Sequence, residues 1–201
     1  RYSNEASKIA DQTADKKLMG FVLHFNGAIA ANKSNYTKAL EDYNNAFELY
    51  KQAGAKKLMA LISLNLSSIM VIQANYPEAL KYGLQFLKYC EESGSETLLA
   101  GSYNVVGDVY TYIGKFEEAL KCYDSSFVVY KRIGNEFEAA HQEANIGDMY
   151  MYEKKPLKAL KYYDKAKETL SRTDAPLSFS TIYLPWTVLG IGRCYELIAD
   201  S

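Results

Sequence analysis

The residues best suited to chemistry stand close together in the stretch EANIGDMYMY, residues 143–152. Its asparagine and aspartate can bind a ligand or a cation, and its tyrosines add aromatic rings that carry hydroxyl groups. The stretch therefore fits a ligand site, a metal site, or the polar face of an ordinary helix.

Helical geometry divides this cluster into two faces. With about 100° between successive residues, His141, Asn145, Asp148 and Tyr152 fall within roughly 60° of one another. Gly147 and its neighbours point to the opposite side, where a helix packs on its partner. We therefore expect the first set to face a ligand and the second to face the core.

Metal binding and catalysis find little support elsewhere in the sequence. The two histidines lie far apart, and the three cysteines form no CxxC or Cys/His cluster, so no zinc site is expected. YDKAK, residues 163–167, has the Tyr-x-x-x-Lys spacing of some dehydrogenases, yet it falls in the middle of a helical pattern. GIG at 190–192 follows no strand, so it is no phosphate loop. We expect neither an enzyme, nor a cofactor, nor a metal ion.

Charge and cysteine usage exclude other classes. Lysine and arginine number 23 and aspartate and glutamate 24, a balance that predicts neither nucleic acid nor an acidic membrane as the partner. No apolar run approaches the roughly 20 residues of a membrane helix. The odd number of widely spaced cysteines (Cys90, Cys122 and Cys194) favours a reducing compartment, the cytoplasm.

The elements that position the cluster follow from an internal repeat. The pair Ala-Leu recurs every forty residues, and Gly54, Gly94 and Gly134 share one column of the same register. Chance does not keep one register across four units, so the chain is predicted to be a repeat protein. The repeated segments are NYTKALEDY (35–43), NYPEALKYG (75–83), KFEEALKCY (115–123) and KPLKALKYY (155–163).

Each forty-residue repeat has the pattern of two helices. In the third repeat the apolar residues between Phe116 and Tyr130 follow i, i+3, i+4, i+7 spacing. Lys131 and Arg132 favour the helix end, and Gly134 suits a left-handed C-cap. No strand pattern occurs. We also expect Gly107 and Gly147 to face Ala119 and Ala159, where paired helices approach most closely; these two alanines occupy one column of the repeat.

The segment NVVGDVYTYIGKFEEALKCYDSSF, residues 104–127, resembles a tetratricopeptide repeat, and residues 145–166 resemble it as well. The resemblance implies an all-α fold, a right-handed superhelical solenoid of antiparallel helix pairs. Its concave groove, lined by the first helix of each pair, would bind peptides or proteins. A forty-residue period is typical of bacterial regulator and sensor proteins and of polarity scaffolds within this family.

The predicted organisation is a single array over residues 1–201. Residues 1–14 have the pattern of a partial second helix, and residues 176–201 that of an additional helix or the start of a further repeat. The interval to IGRCY (191–195) is 45 residues, so a connection or helix is longer there, and Pro185 either starts or kinks that helix. We expect the protein to continue past Ser201. The full repeats span 15–54, 55–94, 95–134 and 135–172.

The groove stripe can be written out from the family's first-helix columns. It would be apolar at the N-terminal end, with Phe21 and Phe25, and the last helix would extend it with Trp186, Gly190 and Arg193. One column holds Ala28, Ser68, Asp108 and Asp148, so the carboxylate clamp of chaperone-binding relatives is not expected. The predicted peptide-binding residues are Asn65, Asn104, Asp108, Tyr112, His141, Asn145, Asp148 and Tyr152.

The chemistry of this stripe suggests a class of partner. An asparagine both donates and accepts, so it can hold a peptide backbone without selecting a side chain. The aspartates favour a partner with basic or donor-rich groups. The alternative is structural, since asparagines in these columns also form hydrogen bonds between neighbouring helices.

Two functions fit the sequence. The first is a protein- or peptide-binding scaffold module, the interaction or regulatory part of a larger signalling protein. The alternative is a ligand- or peptide-sensing domain that controls an effector domain outside this sequence, such as a kinase, a cyclase or a transcriptional regulator. The oligomeric state is left open.

Overall fold

The computed structural model describes residues 15–172 and 174–200, and in these ranges it consists of helices joined by turns, with no strand. The helices are α1 Lys16–Asn32, α2 Tyr36–Gln52, α3 Lys56–Ile72, α4 Tyr76–Ser93, α5 Glu96–Tyr112, α6 Phe116–Arg132, α7 Glu136–Tyr152, α8 Pro156–Leu170 and α9 Leu184–Ala199. Consecutive helices form the closest pairs, α1 with α2, α3 with α4, α5 with α6, and α7 with α8. The all-α class and the consecutive pairing of helices are confirmed.

The chain forms two compact units, which divide between Gly94 and Ser95. Within the described residues, the first unit contains α1 to α4 and the second contains α5 to α9. The predicted partial helix over residues 1–14 lies outside the described residues, and the division into four full repeats stays a prediction. None of the described helices is long and apolar enough to cross a membrane.

A left-handed residue closes the helices at regular intervals. Among the described residues, positive φ angles occur at every twentieth position from residue 34 to residue 154. In six of these turns the next N–H donates to the carbonyl five residues back, as Lys115 does to Tyr110 at 2.9 Å. This is the Schellman arrangement, which satisfies carbonyls at the helix end. The residues are Ser34, Gly54, Ala74, Gly94, Gly114, Gly134 and Lys154.

Paired helices meet where a tyrosine ring covers a glycine. A Cβ atom added to Gly107 would lie 2.8 Å from the Tyr123 ring, and one added to Gly147 would lie 2.7 Å from the Tyr163 ring. The tyrosine rings are thus the nearest groups to these glycines, and the expectation that the glycines face Ala119 and Ala159 stays a prediction. Spacing gave the phase of each glycine, but the larger tyrosine, one turn further along the second helix, reaches it first.

The alanine of the pair belongs to a core that reaches the following pair. Ala119 is fully buried in a cluster with Tyr123, Ile146 and Met149, and the last two belong to the first helix of the following pair. In the second unit, successive helix pairs therefore share one hydrophobic cluster.

The second helix pair, α3 with α4, has different residues at the positions where the other pairs place a glycine against a tyrosine. Ser67 replaces the glycine and Gly83 replaces the tyrosine in these columns. The Ser67 side chain is fully buried, and its hydroxyl donates to the Ala79 carbonyl at 2.9 Å. In this pair a hydrogen bond between the two helices takes the place of the glycine–tyrosine contact found in the other pairs.

The last helix begins with a π-helical turn over Phe179–Tyr183. Pro185 lies in the first turn of α9, directly after the π-helical turn. The π-helical turn places Phe179 5.8 Å from Phe137 and Tyr183 3.9 Å from His141, measured between ring centroids. The longer interval found in the sequence thus corresponds to an added helical turn that packs on α7.

Candidate functional site

One cavity in the second unit gathers most of the predicted groove residues. It has a volume of about 400 Å³ and lies between α5 and α7, with contributions from the helices packed on them; we call it the α5/α7 cavity. Five of the eight predicted residues line it: Asp108, Tyr112, Asn145, Asp148 and Tyr152. The remaining lining residues are Thr111, Tyr123, Met151, Tyr163, Trp186 and Arg193.

Asp108 is held by the second helix of its own pair. The Tyr123 hydroxyl donates to Asp108 Oδ1 at 2.7 Å and lies 3.2 Å from the Thr111 hydroxyl. Within the described part of the chain, no donor reaches the other carboxylate oxygen, Oδ2. Burial raises the pKa of Asp108 to about 6, although the Tyr123 hydrogen bond and the charge of His141 act in the opposite direction.

Asp148 occupies the equivalent position forty residues later, but both of its oxygens are used. The Tyr163 hydroxyl donates to Oδ1 at 2.5 Å, and the Trp186 indole N–H donates to Oδ2 at 3.3 Å. Burial raises the pKa of Asp148, and these two hydrogen bonds with the charges of His141 and Arg193 limit the rise.

The two tyrosines that hold these aspartates remain protonated donors. Burial is the largest cause of the raised pKa of Tyr123 and of Tyr163, and the neighbouring carboxylate raises it further in each case. The Tyr163 ring is also fixed from a second helix, since a Cβ atom added to Gly190 of α9 would lie 2.6 Å from it. Each tyrosine therefore fills the helix contact and directs its hydroxyl at the site.

Exposed aromatic rings form one wall of the cavity. Tyr112 and Tyr152 meet edge to face with ring centroids 5.9 Å apart, and their side chains stay 40% and 57% exposed. Trp186 is 55% exposed. Nearby, the Asn145 amide donates to Gln142 Oε1 at 3.4 Å, a long hydrogen bond that leaves its carbonyl oxygen for a ligand.

Three of the predicted residues do not line this cavity. His141 stacks on Tyr183, and its Nδ1 lies 3.7 Å from Glu138 Oε2. It lies outside the cavity lining, but its positive charge lowers the pKa of both Asp108 and Asp148. Asn104 lies on α5 one turn before Asp108 and is half-buried.

Asn65 belongs to the first unit. Its amide nitrogen lies 2.9 Å from His24 Nε2, a contact between α3 and α1. Burial lowers the pKa of His24, so the neutral ring accepts this amide hydrogen. This is the kind of helix–helix hydrogen bond that the sequence offered as the alternative to peptide binding.

Sequence reasoning missed the tyrosines of the second helices as site residues. The ring of each tyrosine, Tyr123 and Tyr163, packs on a glycine of the first helix, and its hydroxyl also shapes the cavity. The signal was present: each tyrosine follows its aspartate by fifteen residues in both repeats. Trp186 and Arg193 lie where the extension of the stripe into the last helix predicted them.

The first unit presents another surface in the equivalent columns. Phe21, Phe25 and Ile72 are 56%, 54% and 61% exposed, in agreement with the apolar stripe predicted for the N-terminal end. In neither unit do the described residues bring together three or more histidine, cysteine, aspartate or glutamate side chains that could hold a metal ion.

Comparison with known proteins places the fold among tetratricopeptide repeats. Residues 99–133 match a family model described as tetratricopeptide repeat. BtubC (BKLC) from P. vanneervenii superposes with a TM-score of 0.78 at 18% identity, over 98% of this chain and 80% of that protein. A putative kinesin light chain with TPR-like repeats from Podospora anserina gives 0.70 at 10% identity, over 89% of this chain and 85% of that one.

A third structure is a Rap protein complexed with competence and sporulation factor. It gives a TM-score of 0.66 at 13% identity, and the match covers 89% of this chain and 48% of the Rap protein. A search of curated protein sequences finds no significant match. At these identities the likeness concerns the fold.

Proposed function

We propose that this chain, a repeat protein of the tetratricopeptide type, is a protein- or peptide-binding module that receives its partner in the α5/α7 cavity. One observation carries the proposal: exposed aromatic rings and unused hydrogen-bonding atoms meet in a single cavity of about 400 Å³. Aromatic side chains that stay exposed around such a cavity are the residues that most often dominate binding energy.

The polar groups of the cavity suit an extended peptide. The Asn145 carbonyl oxygen can accept from a backbone N–H, and its position on a rigid helix fixes the direction of that bond. Two aspartates against one arginine, Arg193, favour a partner with basic or donor-rich groups. The Rap complex supports the proposal by analogy of fold, because that protein is complexed with competence and sporulation factor.

The biological setting follows as part of the same proposal. We place the module in a signalling protein, as a binding rather than a catalytic part. None of the three cysteines, all of which lie in the described ranges, forms a disulfide, and Cys90 and Cys194 are buried, which is compatible with the cytoplasm.

Selection of peptides tests this function directly. A display library of random linear peptides is selected on the wild-type protein, and the enriched peptides are measured on Tyr152→Ala. Loss of this exposed aromatic wall should weaken binding at least about tenfold, the effect expected of an aromatic anchor. Binding can be followed by the fluorescence of Trp186, the single tryptophan of the chain.

Tyr195→Ala is the matched control, because Tyr195 is equally exposed at 58% on α9 and does not line the cavity. It should bind the enriched peptides like the wild type. Failure to enrich any peptide, or equal binding by Tyr152→Ala, would contradict the proposal.

A further inference from the structure

The two aspartates of the α5/α7 cavity occupy equivalent repeat positions but differ in how many of their oxygens accept a hydrogen bond. Asp148 receives one donor on each oxygen, from Tyr163 and Trp186. Asp108 receives a donor on Oδ1 alone, from Tyr123. A carboxylate oxygen that receives no hydrogen bond from the protein can accept one from a partner, and Asp108 is partly exposed where it lines the cavity.

The charges around Asp108 leave a place for a cation. The other titratable groups that line the cavity come from every helix packed on it: Tyr112 of α5, Tyr123 of α6, Asp148 of α7, Tyr163 of α8 and Arg193 of α9. His141 of α7 lies outside the lining but also acts on Asp108 through its charge. The permanent cation among them, Arg193, acts on Asp148 and is not among the charges that act on Asp108. Asp148 itself adds negative charge next to Asp108.

Two aromatic rings line the same cavity as Asp108. Tyr112 lies one helical turn from Asp108 on α5, and its edge-to-face contact with Tyr152 holds both rings at the cavity wall. Tyrosine ring faces attract cations, and more strongly where water is partly excluded.

We infer that Oδ2 of Asp108 binds one cationic group of the partner, a primary ammonium or a guanidinium, beside the rings of Tyr112 and Tyr152, whereas Asp148 positions Trp186. This inference rests on the proposed function and adds the chemical class of the group recognised. An acidic peptide is disfavoured, because its carboxylate would meet Asp108 and Asp148 together.

Defined peptides test the charge requirement. The probes are acetyl-Gly-Arg-Gly-amide and the same peptide with citrulline, which keeps the shape of arginine and removes its charge. Titration is followed by calorimetry, so that changes at Trp186 do not affect the readout. The wild type should bind the arginine probe about tenfold more tightly than the citrulline probe, the gain expected of a charge-assisted hydrogen bond.

Variants then locate the effect. Asp108→Asn keeps an oxygen to accept from Tyr123 and should bind both probes equally, while Asp108→Glu should restore part of the preference. Asp148→Asn should weaken both probes, and because it removes a neighbouring negative charge it should reduce the preference for arginine in part without abolishing it. Preference for arginine that survives in Asp108→Asn, or is lost in Asp148→Asn, would overturn the assignment.

The source of the cation is resolved by two further probes. Acetyl-Gly-Lys-Gly-amide carries the ammonium on a side chain, and Gly-Gly-Gly-amide with a free amino end carries it on the backbone; either one binding through Asp108 supports the inference. Library peptides that bind through Tyr152 while arginine and citrulline probes bind the wild type equally would overturn this inference and leave the proposed function standing.

Discussion

Tyr123 and Tyr163 each serve two purposes at the scale of a single residue. The ring covers a glycine of the neighbouring helix, and the hydroxyl holds an aspartate of the cavity. Packing and site geometry therefore depend on the same side chain. A change that displaces the ring is expected to alter both the free energy of unfolding and the cavity.

Gly147→Ala tests this link. The added methyl group would lie 2.7 Å from the Tyr163 ring, so the ring must shift and its bond to Asp148 must weaken. We expect the free energy of unfolding to fall by about 1–3 kcal/mol, the cost of overpacking. Denaturation in urea, followed by circular dichroism, measures it.

The control lies on α9. Gly192 has open space where its Cβ would stand, so Gly192→Ala should increase the free energy of unfolding by about 0.5–1 kcal/mol through helix propensity alone. If Gly147→Ala were equally stabilising, the close tyrosine contact would have no energetic weight.

Asp108 carries a cost for stability that Asp108→Asn should remove. Its pKa, raised by burial to about 6, means that the folded protein keeps a proton that the unfolded chain loses from about pH 4 upward. The contribution of Asp108 to the free energy of unfolding should therefore fall as pH rises from 4 to 6. Asp108→Asn should be more stable than wild type by about 1 kcal/mol at pH 7, after allowance for solvent screening.

This advantage should disappear near pH 4, where Asp108 is protonated in both states. Urea denaturation of both proteins from pH 4 to pH 7 measures the difference. A constant difference across this range would show that Asp108 titrates normally in the folded protein. A site residue that lowers stability while serving binding is a common compromise in proteins.

The turns are the feature that matters most at the scale of elements. Gly114 and Ala74 occupy equivalent left-handed positions, with φ of 76° and 54°, but only glycine adopts this conformation without steric cost. Because α4 and α6 start from otherwise similar three-residue turns, these positions allow a reciprocal test.

Gly114→Ala should lower the free energy of unfolding by about 1 kcal/mol, and Ala74→Gly should raise it by about 0.5 kcal/mol, since relief of strain exceeds the added entropy of the unfolded glycine. Thermal denaturation of the two variants measures both changes. Shifts in the same direction would mean that the left-handed conformation does not determine the effect.

The π-helical turn shows what periodicity cannot provide. The interval of 45 residues indicated added residues before IGRCY, but neither their position nor their conformation. The structure places them in the turn Phe179–Tyr183, where two aromatic rings pack on α7. That outcome depends on contacts between side chains far apart in sequence, which a repeat pattern does not encode.

At the scale of the whole molecule, the sequence predicted the architecture better than the site. A forty-residue period fixes which helix faces pack, so the helix pairs followed from phase, and five of the cavity residues followed from phase together with the first-helix columns of the family that the sequence resembles. Phase does not give the reach of a side chain. For this reason the tyrosines that cover Gly107 and Gly147 were missed, and the unlike surroundings of Asp108 and Asp148 were not foreseen.

The two units carry different surfaces on one repeated plan. In the column of the two aspartates the first unit has Ala28 and Ser68. The acidic and aromatic cavity is thus confined to the second unit, while the first exposes phenylalanines. A repeat protein can therefore carry two different surfaces on helix pairs of the same design.

The left-handed residues at every twentieth position have a consequence for how such a chain can evolve. Any forty-residue piece cut from one of these turns to the next but one begins and ends in the same backbone conformation. Duplication or loss of such a piece in the gene would therefore join one turn to another like it, and no new connection would have to be invented. Length could change by whole helix pairs while the surface residues diverge independently.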